Sequence, residues 1–480
     1  MQRRCPVRIH FSTVADLDVH LAGNRHNARP TDERLAGDRW PDKNGGFCVE
    51  GDVRILKQVG GRWQILLGAA IASTALLAVL IGQSSNRSGR VALYASVGEE
   101  LSTYAVDVEH ATLTKQSSVT LPGFVQEAWA SPSTPYLYVA WSNGGASYAG
   151  TGVPAVGDKH GVTAFRIDSA TGALQTHGAP AAIRSRPIHI TGDSSGTHLL
   201  VAYNDPSGIS VHTIKRDGTV GTEIPQPGNL DVGIYAHQVR VMPTNRSVIL
   251  VTRGNQATST TAEDPGALKV LRYDEGRLAN LASIAPAQGR EFRSRHLDFH
   301  PTRPWVFLTI ESQNRLQVFA RMNDDMLGAQ PLFSKSTLAN GGGVSPGQSA
   351  STVHVHPDGQ FVYVGNRNST ALSAGGTNDI AVFGINQETG EPSLIQNVDT
   401  RGVTPRTFSV DPAGRLLVVG NQTTLDVPEG TNVRTIPANL AVFQIQKDGR
   451  LEFARRYDVA VGRKPLWWAG LVGLPPATSR

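Results

Sequence analysis

The chain has 480 residues, of which 40% are hydrophobic and 18% charged, with a formal net charge of +5. That is globular composition with length for a large core, and the modest charge without a dense Lys/Arg block argues against a nucleic-acid binder. The two cysteines, Cys5 and Cys48, both lie in the first 50 residues, so neither a disulfide framework nor thiol chemistry is expected further on.

Residues 1–63 are polar and Arg/Asp/Asn-rich without a period, and are expected to be disordered or to be an upstream translation extension. Residues 64–83 hold Ile65–Gly82, 18 residues with no charge, just enough to cross a bilayer. Arg54, Lys57 and Arg62 precede it and Arg87 and Arg90 follow. This balance favours a cytoplasmic N-terminus with the remainder exported, as an uncleaved anchor or a cleaved signal. If the segment is not a true targeting signal, the protein is cytoplasmic. After a linker at 84–88, residues 89–480 form one repeat region.

A phrase recurs there seven times, at Leu101–Asp107, Gly161–Asp168, Gly208–Lys215, Ala267–Asp274, Arg315–Met322, Asp379–Asn386 and Asn439–Gln446. Each copy reads as a short alternating strand, for example DIAVFGIN or NLAVFQIQ. A turn and an apolar strand precede it, most clearly in His356–Arg367 and Asp411–Gln422. Degenerate versions stand at Ser131–Trp141, Gly192–Asn204, Met242–Gly254 and His300–Glu311, and the first copy keeps only Val91–Ser96. Such a unit cannot bury its own apolar face, so the copies must pack side by side. The expected fold is all-β: a seven-bladed propeller of four-stranded antiparallel blades, preceded by one hydrophobic N-terminal helix.

With strands lettered A to D outward from the axis, the A–B turns are short. The long insertions Ser142–Lys159, Gly254–Pro265, Asn323–Gln348, Asn368–Asn378 and Gln422–Ala438 fall in B–C or D–A connections, and therefore on one face. Loops raised on a rigid scaffold are where function usually sits. Starts of A strands on that face carry His189, His237, Arg295, His296 and Arg406; ends of B strands carry Asn204, Glu311, Arg367 and Asn421. Arg295 and Glu311 lie symmetrically about Arg303, so hairpin pairing sets them side by side, and Arg406 and Asn421 are placed likewise. Arginines and a histidine around one glutamate suit an anionic, oxygen-rich ligand. Glu or His could activate water and Arg could hold an oxyanion; the same pattern also fits a structural Arg–Glu pair rimming a passive channel.

The phrases HPDGQFVYVGNR, NDIAVFGINQETG, VTPRTFSVDPAGRLLVVGNQ and NLAVFQIQKDGRL resemble the seven-bladed propeller lactonase family. It includes the propeller-type 6-phosphogluconolactonase and the fungal carboxy-cis,cis-muconate lactonizing enzyme. The likeness covers most of 89–472. It implies a cofactor-independent lactonase acting on a sugar-acid or related organic-acid lactone, with catalytic residues His237, Arg295, Glu311 and Arg367 and no metal. His189, His296, Arg406 and Asn421 are expected to bind substrate. The partner is a small-molecule lactone, with membrane attachment through residues 65–82 if that segment is uncleaved, and the protein is expected to be a monomer. A non-catalytic binding propeller and a muconate-type cycloisomerase stay open as alternatives. The family's best-known members act inside the cell, so an exported setting bears on which lactone is met.

Three other motifs are read structurally. Gly343–Gly347 matches Gly-x-Ser-x-Gly around Ser345, but no helical pattern follows. His356 opens an A–B turn beside His354, which suits turn capping better than metal binding. Trp467 and Trp468 are expected to close the last blade.

Overall fold

A computed structural model describes residues 89–145, 157–322, 325–341, 343–368, 376–430 and 432–474. The segments 1–63 and 64–83, with the expected helix, lie outside the described residues. Among the described residues no helix is long and apolar enough to cross a membrane.

Seven antiparallel sheets stand around one axis. Their innermost strands are Leu466–Gly473, Phe124–Ala130, Pro187–Gly192, Ala236–Val241, Ser294–Phe299, Gln348–Val355 and Pro405–Val410. Each of the seven recurring phrases forms the third strand of its blade, as in Asp379–Ile385 and Asn439–Ile445. The first copy lacks an A strand of its own. Leu466–Gly473 supplies it by pairing antiparallel with Val91–Val97, so the two ends of the propeller share one sheet. Trp467 and Trp468 lie on this closing strand, and Trp468 N donates to Ser96 Oγ (3.1 Å).

The second strands are continuous apolar runs because both their faces are covered. In Trp305–Ile310, Val306, Leu308 and Ile310 pack against Ile249, Val251 and Leu268 of the preceding blade. Trp305 and Phe307 pack against Val353, Val355 and Val364 of the following one. The core is thus a ring of inter-blade seams, while outer strands such as Leu451–Asp458 are mostly exposed.

Polar pins cross these seams. The hydroxyls of Tyr94, Tyr138 and Tyr363 donate to the carbonyls of Gly172, Gly218 and Gly449 in the next blade's outer turn. His300 and His356 reach Gly359 O (2.9 Å) and Gly414 O (2.8 Å) of the following A–B turns, so His356 is a turn-and-seam residue. At Trp305 the seam closes on Gly390 itself, whose φ is +80°. A β-carbon there would lie 2.6 Å from the indole and would sit in the left-handed region, which alone costs an L-residue about 1–2 kcal/mol. Gly390→Ala is expected to lower stability by about 2 kcal/mol or more. A urea midpoint unchanged from wild type would show that this seam yields.

The innermost strands share one departure from regular pairing. In all seven, the register shifts near the start, at Trp467, Gln126, Ile188, His237, Arg295–His296, Ser351–Thr352 and Arg406. A β-bulge leaves its extra residue unpaired and re-aims its side chain. The propeller therefore carries a ring of bulges at one level around its axis.

Candidate functional site

Four of the bulge residues have functional side chains on the axis: His237, Arg295, His296 and Arg406. Arg295 and Glu311 meet, but by another route than simple hairpin pairing. Ser294 pairs with Ile310 and Leu297 with Leu308, leaving Arg295 and His296 unpaired, while Glu311 N donates to Arg293 O (2.8 Å). The bulge then swings Arg295 until Nε lies 3.2 Å from Glu311 Oε1.

Glu311 sits just past the end of its B strand. The equivalent position in the blade before it is Arg253, and in the blade after it Arg367. All three stand ten residues beyond their turn prolines, Pro243, Pro301 and Pro357. Three neighbouring blades thus present Arg, Glu, Arg at one height. Arg367 Nη2 bonds Glu311 Oε1, and Arg253 Nη1 donates to Oε2 (3.2 Å). Arg253 also lies over the Tyr235 ring, 4.0 Å from its centroid, which fixes its reach. Three guanidiniums surround one carboxylate, an excess of two positive charges. Burial pushes the Glu311 carboxyl up, but Arg367, Arg295 and Arg253 override it and hold the group at about 2. Glu311 is therefore ionised at every physiological pH.

Arg295 is 1% exposed, and its Nε and Nη1 have no hydrogen-bond partner. Burial and the neighbouring Arg367 both disfavour its charge, while Glu311 supports it. His237 is buried with Nδ1 unpartnered, and burial followed by Arg295, Arg253, Arg406 and Arg367 holds it neutral. Its ring lies 5.1 Å from that of His296, which in turn lies 5.9 Å from His189. His296 Nδ1 bonds Thr352 Oγ1 (2.9 Å). His189 has an unpartnered Nδ1, and burial, then Arg240 and His354, lower it to about 3. Arg406 stacks on Trp467 at 3.6 Å and donates to its carbonyl (3.4 Å).

Asn421 stays out of this cluster. Its amide donates to Thr400 O (2.7 Å) and Asn439 Oδ1 (2.8 Å). Asn366 does the same one blade earlier, to Thr337 O and Asp379 Oδ1. The repeated Gly-Asn ties its strand to the neighbouring loops, and the residue after it, such as Arg367, faces the site.

Two cavities meet the cluster. One, of about 430 Å³, opens under the insertions and is lined by Arg253, Arg293, Glu311, Ser345 and Gln348. Ser345 reaches it from a loop that leads into a strand, not a helix, and Gln348 N donates to its carbonyl. The other, of about 370 Å³, runs along the axis and takes residues from all seven innermost strands. Arg406, His296, His189 and a residue the sequence reading passed over, Glu127, line it. Arg253 was also missed. The spacing from a turn proline reveals both: Arg253 by the ten-residue rule, Glu127 because it follows the bulge residue Gln126, six before Pro132, as His237 is six before Pro243.

The family model "Lactonase, 7-bladed beta-propeller" matches residues 80–428. A 6-phosphogluconolactonase of Pectobacterium atrosepticum is 26% identical over 365 residues, 75% of this chain and 92% of the relative. One from Bacillus subtilis is 25% identical over 299 residues, 61% of this chain and 75% of the relative. Among solved structures, the periplasmic gluconolactonase of Pseudomonas aeruginosa has a TM-score of 0.59 at 19% identity, covering 80% of this chain and all of that one. On the match over most of its length, this chain belongs to the seven-bladed β-propeller lactonase family.

Proposed function

We propose that the protein hydrolyses a lactone of a sugar acid or related organic acid, without a cofactor, at the arginine-rich cluster on the propeller axis. The observation that carries this is the excess of buried positive charge around Glu311, in a family whose curated relatives are named 6-phosphogluconolactonase. Attack of water on an ester carbonyl builds negative charge on its oxygen, and preorganised cationic donors stabilise that charge best where water is excluded. Arg295, Arg367 and Arg406 supply them, Arg406 from the wall of the axial cavity, and the planar guanidinium suits a substrate carboxylate or phosphate equally. Glu311 has all its oxygens committed to arginines and is too acidic to serve as base. Its part is to hold three like charges together. A muconate-type cycloisomerase uses the same residue types, but the relatives' names favour hydrolysis. The uncharged run at 65–82 supports placing the propeller outside the cytoplasm.

The test is proton release by the full-length protein from a panel of sugar-acid lactones, corrected for spontaneous hydrolysis. Wild type is expected to turn over at least one. Arg367→Ala is expected to lower kcat/KM about tenfold to a hundredfold, the loss of one charge-assisted contact. Binding of a lactone with no turnover would leave a binding propeller instead.

A further inference from the structure

We propose that Glu127 is the general base of the reaction, taking the proton of the attacking water in the axial cavity, whose wall it shares with Arg406 of the arginine cluster. This rests on the lactonase reading. Glu127 follows the bulge of strand Phe124–Ala130 and lies half-buried against the axial cavity, which it lines with Arg406, His296 and His189. The bulge lets Gln126, the residue before it, bond Arg186 and leaves Glu127 the cavity face. Its carboxyl accepts from Ala128 N (3.3 Å), a neutral donor, and shares the cavity wall with Trp468.

The two carboxyls of the axis are thereby set apart. Glu311 is enclosed by three guanidiniums and held at about 2. Glu127 feels burial first, then Arg406 and more weakly Arg295, and ends at about 7. Pairs of titratable groups pushed apart by their surroundings mark acid–base assignments, and a base is most effective near the working pH. The other groups facing the cavity do not compete. Burial and nearby positive charge depress the basicity of His296 and His189, which leaves them weak proton acceptors. At the far end Arg240 is paired with Asp298 (3.0 Å), with His354 3.8 Å from the same carboxylate. Arg295 and Arg406 act electrostatically on Glu127 and on His237, so one field spans the axis.

In the step, water oxygen bonds to the lactone carbonyl carbon as its proton passes to the Glu127 carboxylate, and the oxyanion faces the Arg406 guanidinium on the wall of the same cavity. Collapse breaks the ring C–O bond, and Glu127 returns the proton to the leaving alkoxide. The product is the open hydroxy acid, which ionises to solvent. The balance closes with water alone.

The experiment uses the full-length protein and the best lactone of the panel. Glu127→Gln is expected to lower kcat about a hundredfold or more with little change in KM, the range of a lost general base. The wild-type rate is expected to rise with pH through a limb near 7. Glu127→Gln should lose that limb, and Glu127→Asp should restore part of the rate with the limb displaced. Independently of turnover, difference infrared spectra should show a protonated carboxyl in wild type that disappears near neutral pH and is missing in folded Glu127→Gln. If wild type is active and Glu127→Gln keeps its rate and its limb, Glu127 is not the base and the lactonase reading stands. If wild type opens no lactone, both fall.

Discussion

Glu311→Gln is expected to destabilise the propeller by about 3–5 kcal/mol, the effect of removing one partner from a buried ionic group. The amide matches the carboxylate in shape, so packing is kept and charge alone is lost. Arg253, Arg295 and Arg367 would then face one another without a counter-ion. The sign of the pH dependence follows from the same group. Its folded value of about 2 lies below the ordinary 4.5, so its contribution is full above about 4.5 and is lost as pH falls from there towards 2. A shift of that size is worth on the order of 3 kcal/mol, which agrees with the first figure. Glu127 acts in the opposite sense. Its folded value is raised to about 7, so it withdraws stability as pH rises from about 4.5 to 7. Urea unfolding at pH 7 and pH 3 measures both. Glu311→Gln should be weaker than wild type at pH 7 and nearer to it at pH 3. Phosphate or sulfate should recover part of the loss by binding the uncovered arginines. A variant within about 1 kcal/mol of wild type at pH 7 would mean that the three arginines relax into solvent and that Glu311 does not hold them.

Much of this site was legible in the sequence, for one reason: the repeats carry their own ruler. The third strands announce themselves by alternation, and each turn proline fixes positions six before it and ten after it. That ruler locates His237, Arg295, Glu311 and Arg367, of which the last three meet in the structure. It did not show how they meet. Symmetry about Arg303 set Arg295 opposite Glu311, yet the ladder pairs Ser294 with Ile310 and the contact is made by a bulge. A bulge is a single extra residue whose existence depends on the facing strand, so strand composition does not reveal it. Asn421 was misplaced for a related reason. It shares the end of a B strand with the site residues, but one residue earlier, where the pleat turns it towards Asn439. Glu127 stood out least. The register position it occupies carries Gln238, His296, Thr352 and Thr407 in other blades, a mixture without a common chemistry. Arg253 was hidden by its neighbours: Met242–Arg246 replaces the Asp-Pro-x-Gly turn and makes that blade look irregular, though its proline keeps the spacing.

Arg295→Met is expected to separate function from stability. Arg295 is among the largest fully buried side chains, and two of its nitrogens lack hydrogen-bond partners. Desolvating a guanidinium is expensive, and one ion contact at 3.2 Å without hydrogen-bond alignment offsets only part of that. Methionine is apolar, flexible and of similar length, so it can fill the bulge site without a charge. Glu311 would keep Arg253 and Arg367, so no buried charge is left alone. Stability should hold or rise, by up to about 4 kcal/mol, as for other buried ion pairs replaced by apolar groups. Lactone turnover should fall about 10²–10³-fold, the usual effect of losing one oxyanion donor. Arg295→Lys should recover little, because an ammonium on a flexible stem cannot reproduce the planar fork from a bulged strand. The decisive comparison is kcat beside the urea midpoint for the two variants. Strain kept for function predicts that activity collapses while the midpoint stays or climbs. Turnover near wild type with a lowered midpoint would instead make Arg295 a packing residue, and the oxyanion would have to be held by Arg367 and Arg406.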